Sequence, residues 1–540
     1  AAAERHALAG RWVVGCVAYE AAPAFDAAFE VLPPQDFLPL AACAVYAAPD
    51  GDEATGNEFS CGPWRMATPR PRIDASLAAI HRGIADGDYY QVNLTTRLRA
   101  DFAGDGRALF AALRAAQPGG YCAHMDAGAW QLLSVSPELF FDWRRDGTLG
   151  TLTTRPMKGT APRHADAAAD AEAAQALRAS AKEQAENLMI VDLLRNDLAR
   201  VAATGTVRVP RLFDIEALPS AWQMTSTVQA TTRPDVKLAD VFGALFPCGS
   251  VTGAPKVAAM AAIAALEDAP RGAYCGAIGL IRPGGHATFN VGIRTVAIDG
   301  ARGRAECGIG SGIVFDSADA DEYAEWLIKR RFLLRATAAF ELIETLRLEH
   351  GRYWLLERHL DRLQTSAGHF GFACDPMRVH AALDVLAAQR LQGNWRVRLL
   401  LSRHGAVRTE AFALEPPPRL PRFVMAATPV NSGDEFLAHK TTARAVYERH
   451  APPPGAFDTL LWNERGEITE FTRGNVVLEL AGRRVTPPLA CGLLAGAMRA
   501  ELLARGKINE QVVTLADLQQ ATGIWFINSV RGALPVQPQP

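Results

Sequence analysis

Apolar and polar positions change period along the chain. Asp166 to Val201 is rich in Ala, Leu and Glu and contains no Pro or Gly, which predicts a largely helical stretch. Asp319 to Leu334 also repeats at helical spacing, whereas Glu341 to Leu346 and Tyr353 to Leu356 read as short strands about a His350-Gly351-Arg352 turn. That change sets a boundary, with residues 1–337 as one unit and 338–540 as another. Within the second unit, Arg396 to Leu401 and Phe423 to Ala427 are strand-like and flank Glu415 to Pro421, whose four prolines mark a connection between two lobes. The chain has no internal repeat or low-complexity tract. Its longest uncharged apolar run, Val257 to Leu266, is short of the roughly 18 to 20 residues that cross a bilayer.

Composition narrows the function classes. With 540 residues, 49% apolar and 21% charged, the chain can bury a large core. Fifty-six Lys and Arg against 58 Asp and Glu leave a net charge of −2, so no basic excess is present to grip nucleic acid. Nine cysteines without a CxxC pair read as scattered buried thiols in a reducing compartment rather than a disulfide frame or zinc site. Glu4, Arg5 and His6 interrupt the start, and Trp12 to Tyr19 is too short for a signal core. A cytoplasmic enzyme without membrane attachment is expected. Because residue 1 is Ala, N-terminal sequence is expected to be missing.

Four carboxylates then carry candidate chemistry. Glu183 and Glu186 stand three apart, as do Glu322 and Glu325 on a second predicted helix, so each pair shares a helix face. Such pairs are either solvated or compensated by a cation, and Mg2+ bridging the two helices while keeping waters is one possibility. Two glycine segments fail the usual phosphate-loop tests. In Gly249 to Lys256 the lysine does not follow the glycine directly, and in Gly308 to Gly312 the third fingerprint glycine is replaced by Ile313. Both remain candidates for presenting backbone N–H groups to an anion or for ordinary tight turns.

Taken in order, Ser136-Pro-Glu138, Arg155 to Thr160, Ala185 to Asp197, Gly249 to Lys256, Ile293 to Thr295 and Gly310 to Ser317 resemble the chorismate-utilising enzymes over most of residues 1–335. The resemblance implies an α+β fold of two packed antiparallel sheets with outer helices, with Mg2+ holding a carboxylate of chorismate. Lys158 before Gly-Thr resembles the aminodeoxychorismate synthase component I branch rather than the anthranilate synthases, which usually carry Ala there. By this resemblance Lys158 attacks C2 of chorismate as the 4-hydroxyl leaves, and ammonia enters at C4 as the lysine departs. That role requires a neutral amine. Glu138 is implied as general acid, Glu186 and Glu325 as direct Mg2+ ligands with Glu183 and Glu322 close by, and Tyr274, Arg294, Ser250, Gly310 and Gly312 as substrate contacts. Gln223 stands where anthranilate synthases have His, so a proton role there is not expected. Gly15 to Glu20 resembles part of the family's first sheet, and a complete regulatory amino-acid pocket is not assumed. The chain lacks the Gly-x-Cys-x-Gly segment of a glutamine amidotransferase, so a separate amidotransferase subunit or free ammonia is expected to supply nitrogen.

Beyond about residue 338, Glu357 to Leu363, His439 to Thr442, Glu467 to Glu470 with Gly474-Asn475, and Thr486 to Arg499 resemble the class IV pyridoxal-phosphate enzymes. A two-lobed α/β domain binding pyridoxal 5′-phosphate is implied. Lys440 would bond to the cofactor aldehyde and move protons, Glu470 would pair with the pyridine nitrogen, and Arg362, Gly496 and Ala497 would hold the phosphate. Phe471-Thr-Arg473 departs from the small residues common in relatives. A homodimer through this unit is expected. The paired motifs imply conversion of chorismate to aminodeoxychorismate and then to 4-aminobenzoate and pyruvate, as in folate biosynthesis. An amino-acid transaminase, or a non-catalytic docking module, is the alternative for the second unit.

Overall fold

The computed structural model describes residues 1–51, 58–147, 149–163, 167–218, 221–337, 340–417 and 421–539. The chain divides into two compact units, Ala1–Thr337 and Ala338–Pro540.

In the first unit, two antiparallel sheets are assembled from strands distant in sequence. One runs in the order Met157–Pro162, Ala221–Thr232, Leu149–Arg155, Leu139–Asp146, Ala287–Val291, Ala277–Ile281, Trp12–Val17 and Ala41–Tyr46. The other is centred on the long pair Gln91–Gly104 and Arg304–Ile313. Cys16 and Ile278 from the first sheet meet Leu132 and Ala297 from the second in one buried cluster, so the sheets pack face to face. Helices cover the outside: Ile190, Val191, Leu194 and Leu198 seal the first sheet, and Leu77, Ile80, Leu109 and Leu113 the second. This α+β architecture is the expected one.

Several local expectations change. The predicted Asp166–Val201 helix is two helices, Ala167–Ala179 and Ala181–Ala199, because Ser180 accepts a hydrogen bond from the Glu183 N–H and caps the second; Asp166 lies outside the described residues. Likewise Asp319–Leu334 breaks at Arg330 into Asp319–Lys329 and Arg331–Thr337. Gly308 to Gly312 is not a loop but the interior of a strand, with Gly310 opposite Thr95 and Gly312 opposite Asn93. Gly249 to Lys256 is a short helical turn, a two-residue strand and the start of helix Lys256–Leu266. Lys256 turns inward, donating to Asp197 at 2.9 Å and to the Leu245 carbonyl at 3.3 Å. All nine cysteines are free, but Cys43 and Cys122 are exposed rather than buried.

The second unit has two lobes. A four-stranded antiparallel sheet (Arg352–Tyr353, Leu342–Glu349, Asn394–Leu401, Val407–Ala413) packs one face on helices Leu356–Phe370 and Pro376–Ala388. A nine-stranded sheet with parallel and antiparallel pairs forms the other lobe around Phe423, Leu460, Phe471 and Phe526. The expected strand Tyr353–Leu356 ends at Tyr353. From Leu356 onward, Leu360, Leu363, Ala367 and Phe370 recur at helical spacing and are buried, and that apolar stripe outweighs the strand-like run before it. In the proline-rich connection, residues 418–420 lie outside the described set. Among the described residues, no helix is long and apolar enough to cross a membrane.

The Lys256–Asp197 pair ties two helices of the first unit, with side chains only 10% and 6% exposed. Removing one partner of a buried pair costs about 3–5 kcal/mol. Asp197→Ala should therefore lower the thermal unfolding midpoint by roughly 5–15 °C, whereas Asp197→Leu combined with Lys256→Met should recover most of the loss; scanning calorimetry of the three proteins checks both.

Candidate active sites

Strand Met157–Pro162 does not pair regularly with Ala221–Thr232: its register shifts between Met157 and Thr160, and Gly159 takes φ +89°. A bulge of this kind re-aims a side chain. Gln223 fastens it, accepting from Thr160 Oγ1 at 3.0 Å and donating to the Gly159 carbonyl at 2.7 Å. Lys158, carried on the bulge, brings Nζ to 3.7 Å from Glu186 Oε2. It also lies 3.1 Å from where a Cβ on Gly312 would stand, so only glycine leaves that space open.

Glu138 occupies the link between strands Trp130–Ser136 and Leu139–Asp146 and is 4% exposed. Ser250 donates to its Oε1 at 2.8 Å. Burial pushes the Glu138 carboxyl up to about 7, against the opposing pull of Ser250, Lys158 and Lys329. A carboxyl so placed holds a proton near neutrality. Tyr274 is buried, with the Arg97 guanidinium 5.4 Å from its ring centroid, and its ring fills the space in front of Gly308. Arg294 adopts φ +49°, donates to Gln117 Oε1 at 2.8 Å and stacks 5.2 Å over Phe332. The Gly310 carbonyl accepts from Lys329 Nζ at 2.9 Å.

The four carboxylates divide. Burial and then the Glu186 charge raise the pKa of Glu183, with a smaller push from Glu325, so Glu183 feels carboxylates on both helices. Glu325 pairs with Lys329 at 2.7 Å. Glu322 is engaged elsewhere, accepting from both Ser311 and Ser317 hydroxyls. Among the described residues, no group of three or more His, Cys, Asp or Glu side chains forms a ready metal cage. Mg2+ needs only one or two carboxylates beside water, and Glu186 with Glu325, both oxygen donors, fit that requirement.

Sequence reasoning missed two residues here. Lys329 follows Glu325 by four on the same helix, a spacing that signals an ion pair. Gln91 is fully buried with both amide atoms unpartnered, and its Nε2 stands 2.7 Å from the same Cβ position on Gly312 that Lys158 borders. Nothing in its immediate sequence marks it.

In the second unit, Lys440, Glu470, Arg362, Gly496 and Ala497 line one cavity of about 430 Å³. Burial, helped by Arg362 and Arg444, lowers the Lys440 amine to about 8 against the pull of Glu344. Burial raises Glu470 to about 8 even though Tyr447 Oη donates to it at 2.8 Å, Asn475 Nδ2 at 3.0 Å and the Leu494 N–H at 3.2 Å. Arg362 is fixed by Glu344, with Nε 2.9 Å from Oε1, and by the Ala495 carbonyl at 3.0 Å. His359 Nδ1 lies 2.6 Å from the same Glu344 carboxyl. Gly496 caps helix Ala497–Ala504, and a Cβ on it would fall 1.9 Å from Asn475 Oδ1. An amine near neutrality, a buried carboxyl, an oriented guanidinium and a helix N-terminus fit pyridoxal phosphate in its aldehyde, ring nitrogen and phosphate. Tyr447, Arg444 and Glu344 were not anticipated. Arg444 and Tyr447 follow Lys440 within two helical turns of sequence, but a single Arg or Tyr carries no motif.

Comparison with known proteins finds relatives for both units. Residues 50–335 match the family described as chorismate binding enzyme, and residues 341–538 match amino-transferase class IV. Aminodeoxychorismate synthase component 1 of Klebsiella aerogenes is 42% identical over 262 residues, 48% of this chain and 57% of that protein. Anthranilate synthase component 1 of Streptomyces coelicolor is 37% identical over 289 residues, 53% of this chain and 55% of that protein. The chain thus spans a little over half the length of these curated relatives. The crystal structure of anthranilate synthase component I from Streptococcus pneumoniae superposes with a TM-score of 0.51 at 25% identity, covering 59% of this chain and 80% of that one. Matched over more than half its length, the chain belongs to the chorismate binding enzymes, here followed by a class IV amino-transferase domain.

Proposed function

We propose that the chain makes 4-aminobenzoate in two reactions: chorismate and ammonia give 4-amino-4-deoxychorismate in the first unit, and pyruvate is eliminated from that product in the second. The observation that carries this reading is Lys158, borne on a bulge within charge range of a proton-holding Glu138 and 3.7 Å from Glu186. In the first reaction the Lys158 amine bonds to C2 as the C4–O bond breaks. Glu138 gives its proton to the departing hydroxyl, and Ser250 keeps the carboxyl oriented through its 2.8 Å hydrogen bond. Ammonia then bonds to C4 as the C2–Nζ bond breaks and Lys158 returns. Arg294 and Tyr274 bind a substrate carboxylate, Gly310 and Gly312 offer it backbone N–H groups, and the missing side chain of Gly312 keeps the space beside the Lys158 amine clear. Glu186 and Glu325, with Glu183 nearby, would hold Mg2+, which supplies a positive charge for the substrate's other carboxylate. A separate amidotransferase subunit would deliver ammonia.

For the second reaction, bound pyridoxal phosphate supplies an electron sink. Lys440 would hold the cofactor and relay protons at Nζ. Glu470 would bind the ring nitrogen, with Tyr447 and Asn475 keeping that carboxyl in place, and Arg362 with the Ala497 helix end would hold the phosphate.

The purified chain with chorismate, ammonium, Mg2+ and pyridoxal phosphate should release 4-aminobenzoate and pyruvate in equal amounts, and Lys158→Ala should abolish both. Chromatographic detection of 2-aminobenzoate instead would assign the anthranilate reaction, to which the Streptomyces coelicolor relative belongs. Lys440→Ala should make aminodeoxychorismate accumulate; undiminished 4-aminobenzoate would refute its role. Because the Glu138 carboxyl sits at about 7, its acid form is lost as pH rises through that value. The rate of the first reaction should then fall up to tenfold per unit above pH 7, measured as chorismate consumption. Glu138→Gln should erase this limb and slow the reaction by about 10²–10⁴-fold.

A further inference from the structure

The class IV cavity contains more positive charge than its cofactor needs. Of six arginines along it, three are matched by carboxylates: Arg362 by Glu344, Arg398 by Glu410 at 3.2 Å and Arg473 by Asp458 at 3.1 Å. Arg396, Arg444 and Arg531 have no carboxylate partner among the described residues. Arg531 donates to the Glu415 backbone carbonyl at 3.1 Å; of these three, Arg396 and Arg444 are the ones fixed by stacking on an aromatic ring.

Both are held in defined poses. Arg444 stacks 4.5 Å from the Tyr447 ring centroid and donates one Nη2 bond to the Thr472 carbonyl at 2.7 Å. A guanidinium has five N–H donors, so this leaves most of them available. It lines the same cavity as Lys440 and Glu470, and its charge lowers the pKa of both. Arg396 lies on strand Asn394–Leu401, where it is opposite Phe412 and stacks 5.0 Å over that ring. It shares a sheet face with Thr345 and Arg398, which also line the cavity. The two stacked guanidiniums, neither paired with a carboxylate among the described residues, therefore come from different elements of the wall. With Arg362 and the Ala497 helix end allotted to the phosphate, a substrate must supply the anions they match.

We infer that Arg444 and Arg396 anchor two separate carboxylates, so that the substrate of the second unit is a primary amine bearing two carboxylates rather than a simple monocarboxylic amino acid. This rests on the proposed function and deepens it, since aminodeoxychorismate carries one carboxylate on its ring and another on its enolpyruvyl group. The planar guanidinium fork suits carboxylate recognition, and lysine cannot reproduce the stacked, bidentate geometry.

The test uses the full chain loaded with pyridoxal phosphate, with the cofactor's absorbance as the signal. Wild type, Arg444→Gln, Arg444→Lys and Arg396→Gln are first titrated with cofactor and then used saturated with it; all four should bind it, Arg396→Gln and Arg444→Lys with wild-type affinity. Each is then titrated with aminodeoxychorismate, with both enantiomers of glutamate and with both enantiomers of alanine. Charge-assisted hydrogen bonds predict that either glutamine variant binds aminodeoxychorismate on the order of 10- to 100-fold more weakly, with Arg444→Lys intermediate and alanine binding unaltered. If glutamate, but not aminodeoxychorismate, binds with this arginine dependence, the two-carboxylate anchor stands and the lyase reading fails. Equal binding of aminodeoxychorismate and glutamate by wild type and both glutamine variants overturns the inference. So does a parallel loss of alanine binding, which would make Arg444 an α-carboxylate contact, and so does loss of the cofactor itself.

Discussion

A lysine has to be delivered into a cleft already furnished with carboxylates, and the backbone bulge at Lys158–Gly159 does this. A regular strand would have continued the alternation set by Leu149–Arg155 and Ala221–Thr232. The register shift and the positive φ of Gly159 interrupt it, and Gln223 holds the interruption by bonding to both Thr160 and Gly159. The same constraint explains Gly312: any side chain there would occupy the space shared by the Lys158 amine and the Gln91 amide. Placement of the first unit's amine thus depends on main-chain geometry more than on the helices bearing Glu186 and Glu325.

Burial then sets the protonation of the groups around each lysine, and partner type decides the sign. Glu344 and Glu470 are both buried in the second unit, yet they move in opposite directions. Glu344 is held well down, at about 2, because Arg362 and His359 stabilise its anion and outweigh desolvation. Glu470 receives three hydrogen bonds from neutral donors, which do not overcome desolvation, and rises to about 8. Glu344 is therefore suited to a permanent structural charge that orients Arg362. Glu470 is suited to exchange a proton with, or be ionised by, a cation brought to it, as a protonated ring nitrogen would be. Glu138 in the first unit follows Glu470: a single hydroxyl donor and more distant ammoniums leave burial dominant.

Much of this was legible in the sequence, for identifiable reasons. Motif order carried both families, because each candidate site residue sits in a short segment whose neighbours shape it: Gly159 beside Lys158, Ser136 two before Glu138, Gly496 beside Ala497. The paired carboxylates at helical spacing were also readable, since Glu183 and Glu186 need only one helix to share a face. Their division of labour was not. Glu322 is drawn to Ser311 and Ser317, and Ser311 sits on a strand whose register no local pattern reveals. The glycine run 308–312 was misread as a loop because glycine usually marks turns. Here its small size serves a sheet pressed against Tyr274 and Lys158, a use that becomes visible only when the partners across the cleft are known.

Long-range assembly accounts for the remaining blind spots. Gln91 borders the same space at Gly312 as Lys158 only because Val92 pairs with Ile313, bringing residues more than two hundred positions apart into one strand pair. Arg396 reaches the cavity lined by Lys440 because the four-stranded sheet turns its apolar face, with Val397, Leu399 and Leu401, to the helices, and alternation then sends the intervening arginines to the opposite side. The hydrophobic pattern that built the lobe thereby fixed where its charges emerge. An arginine placed by strand alternation and stacked on Phe412 loses little further freedom on meeting a carboxylate, so the strand period itself preorganises the wall that a dianionic substrate would meet.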